Sequence, residues 1–292
     1  MNSIPSIGLP MRARRLTLLA RDQHAYSILL RSFRGGCLAA AFVATSAALA
    51  QAPSGDTVNE ANNPLTPKVT LNLHDQWAPR LYDSDEYANA FMLRGVLPHK
   101  IFGAPQILRF TLPVVQTVPV APEGTRNGVG DLNLIDLFLF KAGGLELGVG
   151  PQLTIPTASN DHTGTGRWQA GAAAIAIAPQ HWGLLGGLLN WQHSFAGDSD
   201  RGTQNNLGFQ PFFIYNLPQG WYLRSTASWN FNLKTDDYVI PLGAGIGKVW
   251  ALAGGKTVNA FIEPQWTVAH DGAGQPKFQI YAGVNFQFPI GH

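Results

Sequence analysis

Residues 277–288 read KFQIYAGVNFQF, and from Phe278 onward the side chains alternate: Phe278, Ile280, Ala282, Val284, Phe286 and Phe288 on one face, Gln279, Tyr281, Gly283, Asn285 and Gln287 on the other. A period of two is the mark of a β-strand. It does not say which face is wet. A soluble sandwich turns the apolar face inward and a transmembrane barrel turns it outward, and both produce the same alternation.

The pattern recurs throughout the chain. In LELGVGPQLTI, Leu145, Leu147, Val149, Leu153 and Ile155 oppose Glu146, Gln152 and Thr154. In QILRFTLPV, Leu108, Phe110, Leu112 and Val114 oppose Arg109 and Thr111. WYLRSTASWNFNL and VNAFIEPQWTV alternate in the same way, placing Arg224 and Glu263 on polar faces. About twelve such segments are expected, at 67–77, 89–97, 105–116, 130–140, 145–155, 168–178, 184–194, 205–216, 221–232, 238–250, 257–268 and 277–288. An even number of antiparallel strands lets a closed sheet bring both ends of the chain to one side.

Three features decide which face meets lipid. Connections after odd-numbered segments are mostly long and polar (APRLYDSDEYA, TASNDHTGTGR, AGDSDRGTQNN), whereas those after even-numbered ones are mostly short (KAGG, APQHWG, NLPQG), and the contrast fades late in the chain, where LKTDDY and HDGAGQPK are modest and ALAGGKT is not minimal. Outer-membrane barrels sort their loops by parity in this way. Aromatic residues gather near the segment ends, as in interfacial girdles, and about ten residues at a tilt of roughly 40° span the apolar band. The third feature is the leader. A basic segment ending at Arg34 runs into CLAAAFVATSAALA (37–50), and Ala48 and Ala50 form a small-x-small cleavage site. That apolar run is shorter than the ~20 residues of a spanning helix. The expected organisation is therefore a cleaved signal peptide at 1–50 and an all-β, closed antiparallel transmembrane barrel at 51–292.

Processing changes the charge. The whole chain carries 20 basic and 18 acidic side chains, but six arginines and one aspartate lie in the first fifty residues, so the remainder is net acidic, with 14 basic and 17 acidic groups. No basic stripe for nucleic acid is left. Cys37, the single cysteine, falls in the leader, so the processed chain has neither disulfides nor a thiol nucleophile.

The segments GVGDLNL (128–134), GVGPQLTIPTA (148–158), TGTGRWQAG (163–171), WQHSFAGDSDR (191–201), QPFFIYNLPQGWYL (210–223) and IPLGAGIGK (240–248) resemble the phenol-degradation meta-pathway transporter family of Gram-negative outer membranes. The resemblance implies an outer-membrane barrel that moves small, often aromatic, compounds. The assembly signal departs from the usual one, because Pro289 to His292 follow the terminal aromatic Phe288.

Parity places Arg94, Arg109, Glu146, Arg224 and Glu263 in the lumen, as a ring that selects solutes by charge or as pairs that satisfy a polar interior. Small inward residues, among them Gly148, Thr226 and Ser228, leave room for an open path. Asp136 breaks the rule, since parity aims it at lipid, and a bulge near Ile135 or a slipped register is expected. No enzyme is expected: adjacent His193 and Ser194 point to opposite faces and cannot act together. The sequence thus reads as an outer-membrane pore for small solutes, with no cofactor or metal and with lipid and the barrel assembly machinery as partners. Its alternative is a structural or interaction barrel whose lumen is filled by side chains.

Overall fold

The computed structural model describes residues 53–120 and 122–290; the expected leader, with Cys37 and the expected cleavage after Ala50, lies outside them. The described part opens with a short helix, α1 (Gly55–Asn62), and continues as strands. These are β1 (Val69–Leu81), β2 (Ala88–Ile101), β3 (Ala104–Val120), β4 (Gly124–Gly128), β5 (Leu132–Ala142), β6 (Leu145–Ile155), β7 (Arg167–Gln180), β8 (Gly183–Gly197), β9 (Asn205–Asn216), β10 (Trp221–Ser225), β11 (Trp229–Asn232), β12 (Tyr238–Gly243), β13 (Gly245–Ala251), β14 (Thr257–Asp271) and β15 (Pro276–Phe288).

Every pairing among the described residues is antiparallel, and the sheet closes where β1 pairs β15, Val69 opposite Phe288. β4 only extends a loop hairpin from β3, and β10/β11 and β12/β13 each share one stave. The barrel therefore has twelve staves. Loops at one end include 156–166 and 198–204, whereas turns at the other are as short as 102–103, 143–144 and 181–182. Among the described residues no helix is long and apolar enough to cross a membrane; the strands would do so.

The polar face is inside. Gln279, Tyr281 and Gln287 of β15 are buried, while Leu73, Val149, Leu189, Leu223, Ile246 and Ile262 are exposed on the outer wall. At the short-turn rim Phe140, Tyr215, Trp221 and Phe288 face outward, and at the long-loop rim Trp168 and Trp266 do so. A wall of that kind is stable only against hydrocarbon.

Two local features depart from the expected regularity. The ladder between β10/β11 and β12/β13 is interrupted: pairing ends at Arg224 opposite Gly245 and resumes at Asn230 opposite Val239. The register is the same on both sides of the break, so the inward and outward faces are preserved. Asp136 is the second. No bulge or slip occurs at Ile135, for Ile135 pairs Gln152 and Phe138 pairs Val149 in one register. Asp136 stays on the outer face and is matched there by His99, Nε2 to Oδ2 at 3.4 Å. A side-chain partner on β2, not a shift of the strand, accommodates the carboxylate.

Helix α1 lies inside the barrel at its short-turn end. Ser54 caps it by accepting the Thr57 N–H at 3.2 Å, and Asp56 sits in the first turn. It stops at Asn63, which is extended (ψ 114) because Pro64 follows. Val58 and Leu65, 1% and 4% exposed, pack on inward Leu137, Ile175, Ile177, Leu184 and Ile214 in one apolar cluster. Full burial of each such side chain contributes about 1.5–3 kcal/mol.

Polar bonds tie the helix to the opposite walls. Asn59 donates to the Gln180 carbonyl, Asn259 and Gln287 donate to the Ala61 carbonyl, and Asn63 Nδ2 donates to Glu146 Oε2 at 2.5 Å. Gly148, expected to leave open space, is the seat of this helix: an added Cβ would lie 3.0 Å from Leu65 Cδ2 and 2.9 Å from Ile175 Cγ2.

Candidate functional site: the charged throat

Above helix α1 the inner wall carries a continuous polar layer. His74 of β1, Arg94 of β2 and Tyr281 of β15 converge because β1 lies between β2 and β15 in the sheet. Tyr281 Oη donates to His74 Nδ1 at 2.7 Å, and His74 Nε2 contacts Asn285 Oδ1 at 2.7 Å. With an oxygen acceptor at Nε2 and donors at Nδ1, these bonds fit a neutral imidazole protonated on Nε2. Arg94 completes the group, reaching Thr111 Oγ1 and Tyr281 Oη, each at 3.1 Å, and His74 Nδ1 at 3.3 Å.

A second string of polar groups runs round the wall from β1 to β10. Gln76 donates to Gln279, Gln279 to Gln265, and Gln265 to Glu263 Oε1 at 3.0 Å. Glu263 ends the string against Arg224, whose Nε lies 2.7 Å from Oε2, and against Thr226, whose N–H and hydroxyl both donate to the carboxylate. The Arg224 guanidinium also sits 3.6 Å over the Phe261 ring. Glu263 is 0% exposed and Thr226 is buried, so of the two roles open to an inward charge, selecting ring or satisfying pair, this acid takes the second. The interrupted ladder explains its position, since the unpaired Thr226 N–H needs an acceptor and Glu263 supplies it.

Among the described residues the interior includes two cavities, of about 140 and about 170 Å³. The first lies against the C-terminal end of α1 (Asn62, Asn63) and extends to Arg224, Phe212, Ile214 and Phe261. The second lies toward the long loops, between Asn133, Gln152, Asn190, Ser228 and Asn230. Arg94, Arg109, Thr111 and Gln210 line both, so the cavities meet at a throat with two guanidinium groups.

Of the five residues expected in the lumen, Arg94, Arg109 and Arg224 thus line interior space and Glu263 anchors Arg224 from within the wall. Glu146 stands apart at the short-turn rim, bonded to Asn63 and, at 3.1 Å, to Lys141. It holds the helix and does not belong to the ring. The sequence reading did not single out His74, Tyr281 or Phe261; His74 and Tyr281 carry inward parity, but only the closure of β15 on β1 shows that they meet Arg94. His193 is exposed and stacked on Trp191, whereas Ser194 is buried and bonded to Gln204, which keeps them apart. Among the described residues no cluster of His, Cys, Asp and Glu could hold a metal ion.

An apolar outer wall, two aromatic rims and a polar interior define a transmembrane β-barrel of the outer-membrane kind. One solved structure supports the fold. The chain is similar to the COG4313 outer-membrane channel from Pseudomonas putida F1, with a TM-score of 0.60 at 15% identity over 77% of this chain and 99% of that one. More distant similarity, with a TM-score of 0.41 at 10% identity over 76% of this chain and 99% of the other, links it to the KdgM porin in complex with disordered oligogalacturonate. Outer-membrane phospholipase A from Escherichia coli reaches a TM-score of 0.38 at 13% identity over 81% and 98% of the two chains. No protein-family model matches the chain, and no curated protein matches it.

Proposed function

We propose that this protein is an outer-membrane channel for small amphipathic or hydrophobic solutes, aromatic compounds among them, and that it has no catalytic role. The observation that carries the reading is the pair of interior cavities joined at Arg94, Arg109, Thr111 and Gln210, in a barrel whose outer wall suits lipid. Polar side chains alternate with Phe212, Ile214, Phe261, Ile135 and Leu188 along the cavity walls, which suits solutes with both apolar and polar parts. The long loops would face the outside of the cell and the short turns the periplasm, with helix α1 narrowing the periplasmic mouth. The chain would reach the membrane through a cleaved leader and be folded by the barrel assembly machinery.

A specific observation favours a second reading, the structural barrel with a filled lumen: α1 is bonded to β7, β9, β14 and β15 and packed into the inward apolar cluster at the short-turn end. Liposome swelling separates the two. Proteoliposomes in isosmotic solutions of small solutes should swell faster than protein-free vesicles and lose that advantage with bulky oligosaccharides. Swelling equal to the protein-free control for every solute would favour the filled barrel.

A further inference from the structure

The interior holds more guanidinium groups than carboxylates to match them. Arg224 is paired with Glu263, whereas neither Arg94 nor Arg109 forms a salt bridge among the described residues. In the β2–β3 ladder Arg94 faces Thr111 and Arg109 faces Val96, which makes the two arginines diagonal neighbours on one face, about 7–8 Å apart at the backbone. Both line both cavities.

Their hydrogen bonding is unequal. Arg94 is held by Thr111, His74 and Tyr281, but Arg109 Nη1 has no partner, and neither has Gln152 Oε1 in the second cavity. Two neighbouring cations without a counter-ion repel one another and lack the charge-assisted bonds that a buried guanidinium needs. An anion at the throat supplies both. Inorganic ions would meet that need, but the first cavity adds an apolar wall beside the cations, formed by Phe212, Ile214 and Phe261.

We infer that the Arg94–Arg109 throat is a binding site for the carboxylate of an amphipathic organic acid, with its apolar body lying against Phe212, Ile214 and Phe261. This deepens the channel reading and rests on it for its physiological meaning. Arginine suits the role because its planar fork can bind both carboxylate oxygens.

The test is equilibrium binding of benzoate, benzyl alcohol and inorganic phosphate to the folded full chain in detergent, with folding checked by heat-modifiable gel mobility. Benzoate should bind the unmodified protein and lose about tenfold in affinity in Arg109→Gln, with benzyl alcohol unchanged, because a charge-assisted pair is removed. Arg109→Lys should lie between them, and with Arg94→Gln it keeps the test usable where Arg109→Gln does not fold. Benzoate affinity that is absent, or equal in the unmodified protein and all folded variants, overturns the site. Phosphate binding as tightly as benzoate overturns the role of the apolar wall. Arginine-dependent benzoate binding without any solute flux supports the site and counts against the channel instead, so the two failures are distinct.

Discussion

Glu263 of β14 reaches past Gly243 to the backbone of Thr226: its Oε1 accepts the Thr226 N–H at 2.8 Å while its Oε2 accepts Arg224 Nε at 2.7 Å. The carboxylate replaces a ladder bond that β12/β13 does not make to Thr226. Gly243 makes the crossing possible, because a Cβ there would lie 2.1 Å from Glu263 Oε1. A side chain from two staves away thus closes the barrel wall and holds a cation at the edge of the lumen.

Removing that carboxylate should destabilise the barrel markedly. Glu263→Ala leaves a buried arginine unpaired and a backbone N–H without an acceptor, at a cost of about 3–5 kcal/mol. Removing Arg224 together with Glu263 should still cost about 1–3 kcal/mol, since the Thr226 N–H remains unsatisfied. Denaturant unfolding of the detergent-folded protein measures both. A double variant as stable as the unmodified protein would mean that the Thr226 contact contributes nothing.

Charge on the outer wall should be tolerated worse than charge in the lumen. Ile262 is 47% exposed midway along β14, and Ile262→Arg places a cation against hydrocarbon at about 2–4 kcal/mol. Asn230→Arg adds the same charge to the second cavity and should fold nearly normally. Gln279 is a poor control despite its inward parity, being buried and bonded to Gln76 and Gln265. Equal folding yields into liposomes for the Ile262 and Asn230 variants would contradict the assignment of the two faces.

Solvent access to the second cavity gives a third expectation. Ser228→Cys should react in folded protein with a membrane-impermeant thiol reagent, whereas Thr226→Cys, under Glu263, should be protected. Labelling at Thr226→Cys and protection at Ser228→Cys would reverse the described arrangement.

The barrel was legible because alternation is a local signal repeated in every strand. The 205–216 and 145–155 segments agree with β9 and β6 at both ends, and the parity of loop lengths separates the two rims from β1 to β10. The break after Ser225 was not legible, since β10 and β11 keep one alternation across it and only the missing partners of β12 and β13 reveal it. Helix α1 went unseen for a different reason. Eight residues carry too few turns to show a helical period, and its apolar contacts, Val58 and Ala61, are too sparse to stand out. Ser54 followed by Asp56 and later by Pro64 was the available signal of a start and a stop.

The charged residues were legible as inward-facing but not as partners. Sequence parity gives a side chain its face, whereas pairing depends on the order of staves round the closed sheet. Arg224 meets Glu263 across β12/β13, and Glu146 leaves the ring for a helix that parity does not show.

The most direct test of the account is single-channel current in planar bilayers, comparing the unmodified protein with a variant lacking residues 53–66. Helix α1 narrows the short-turn end of the interior, so the unmodified protein should carry a small, steady current and the deletion should increase it several-fold. Gly148→Val, which drives a side chain into Leu65 and Ile175, should shift the current in the same direction. No current from any of the three folded proteins would contradict the channel.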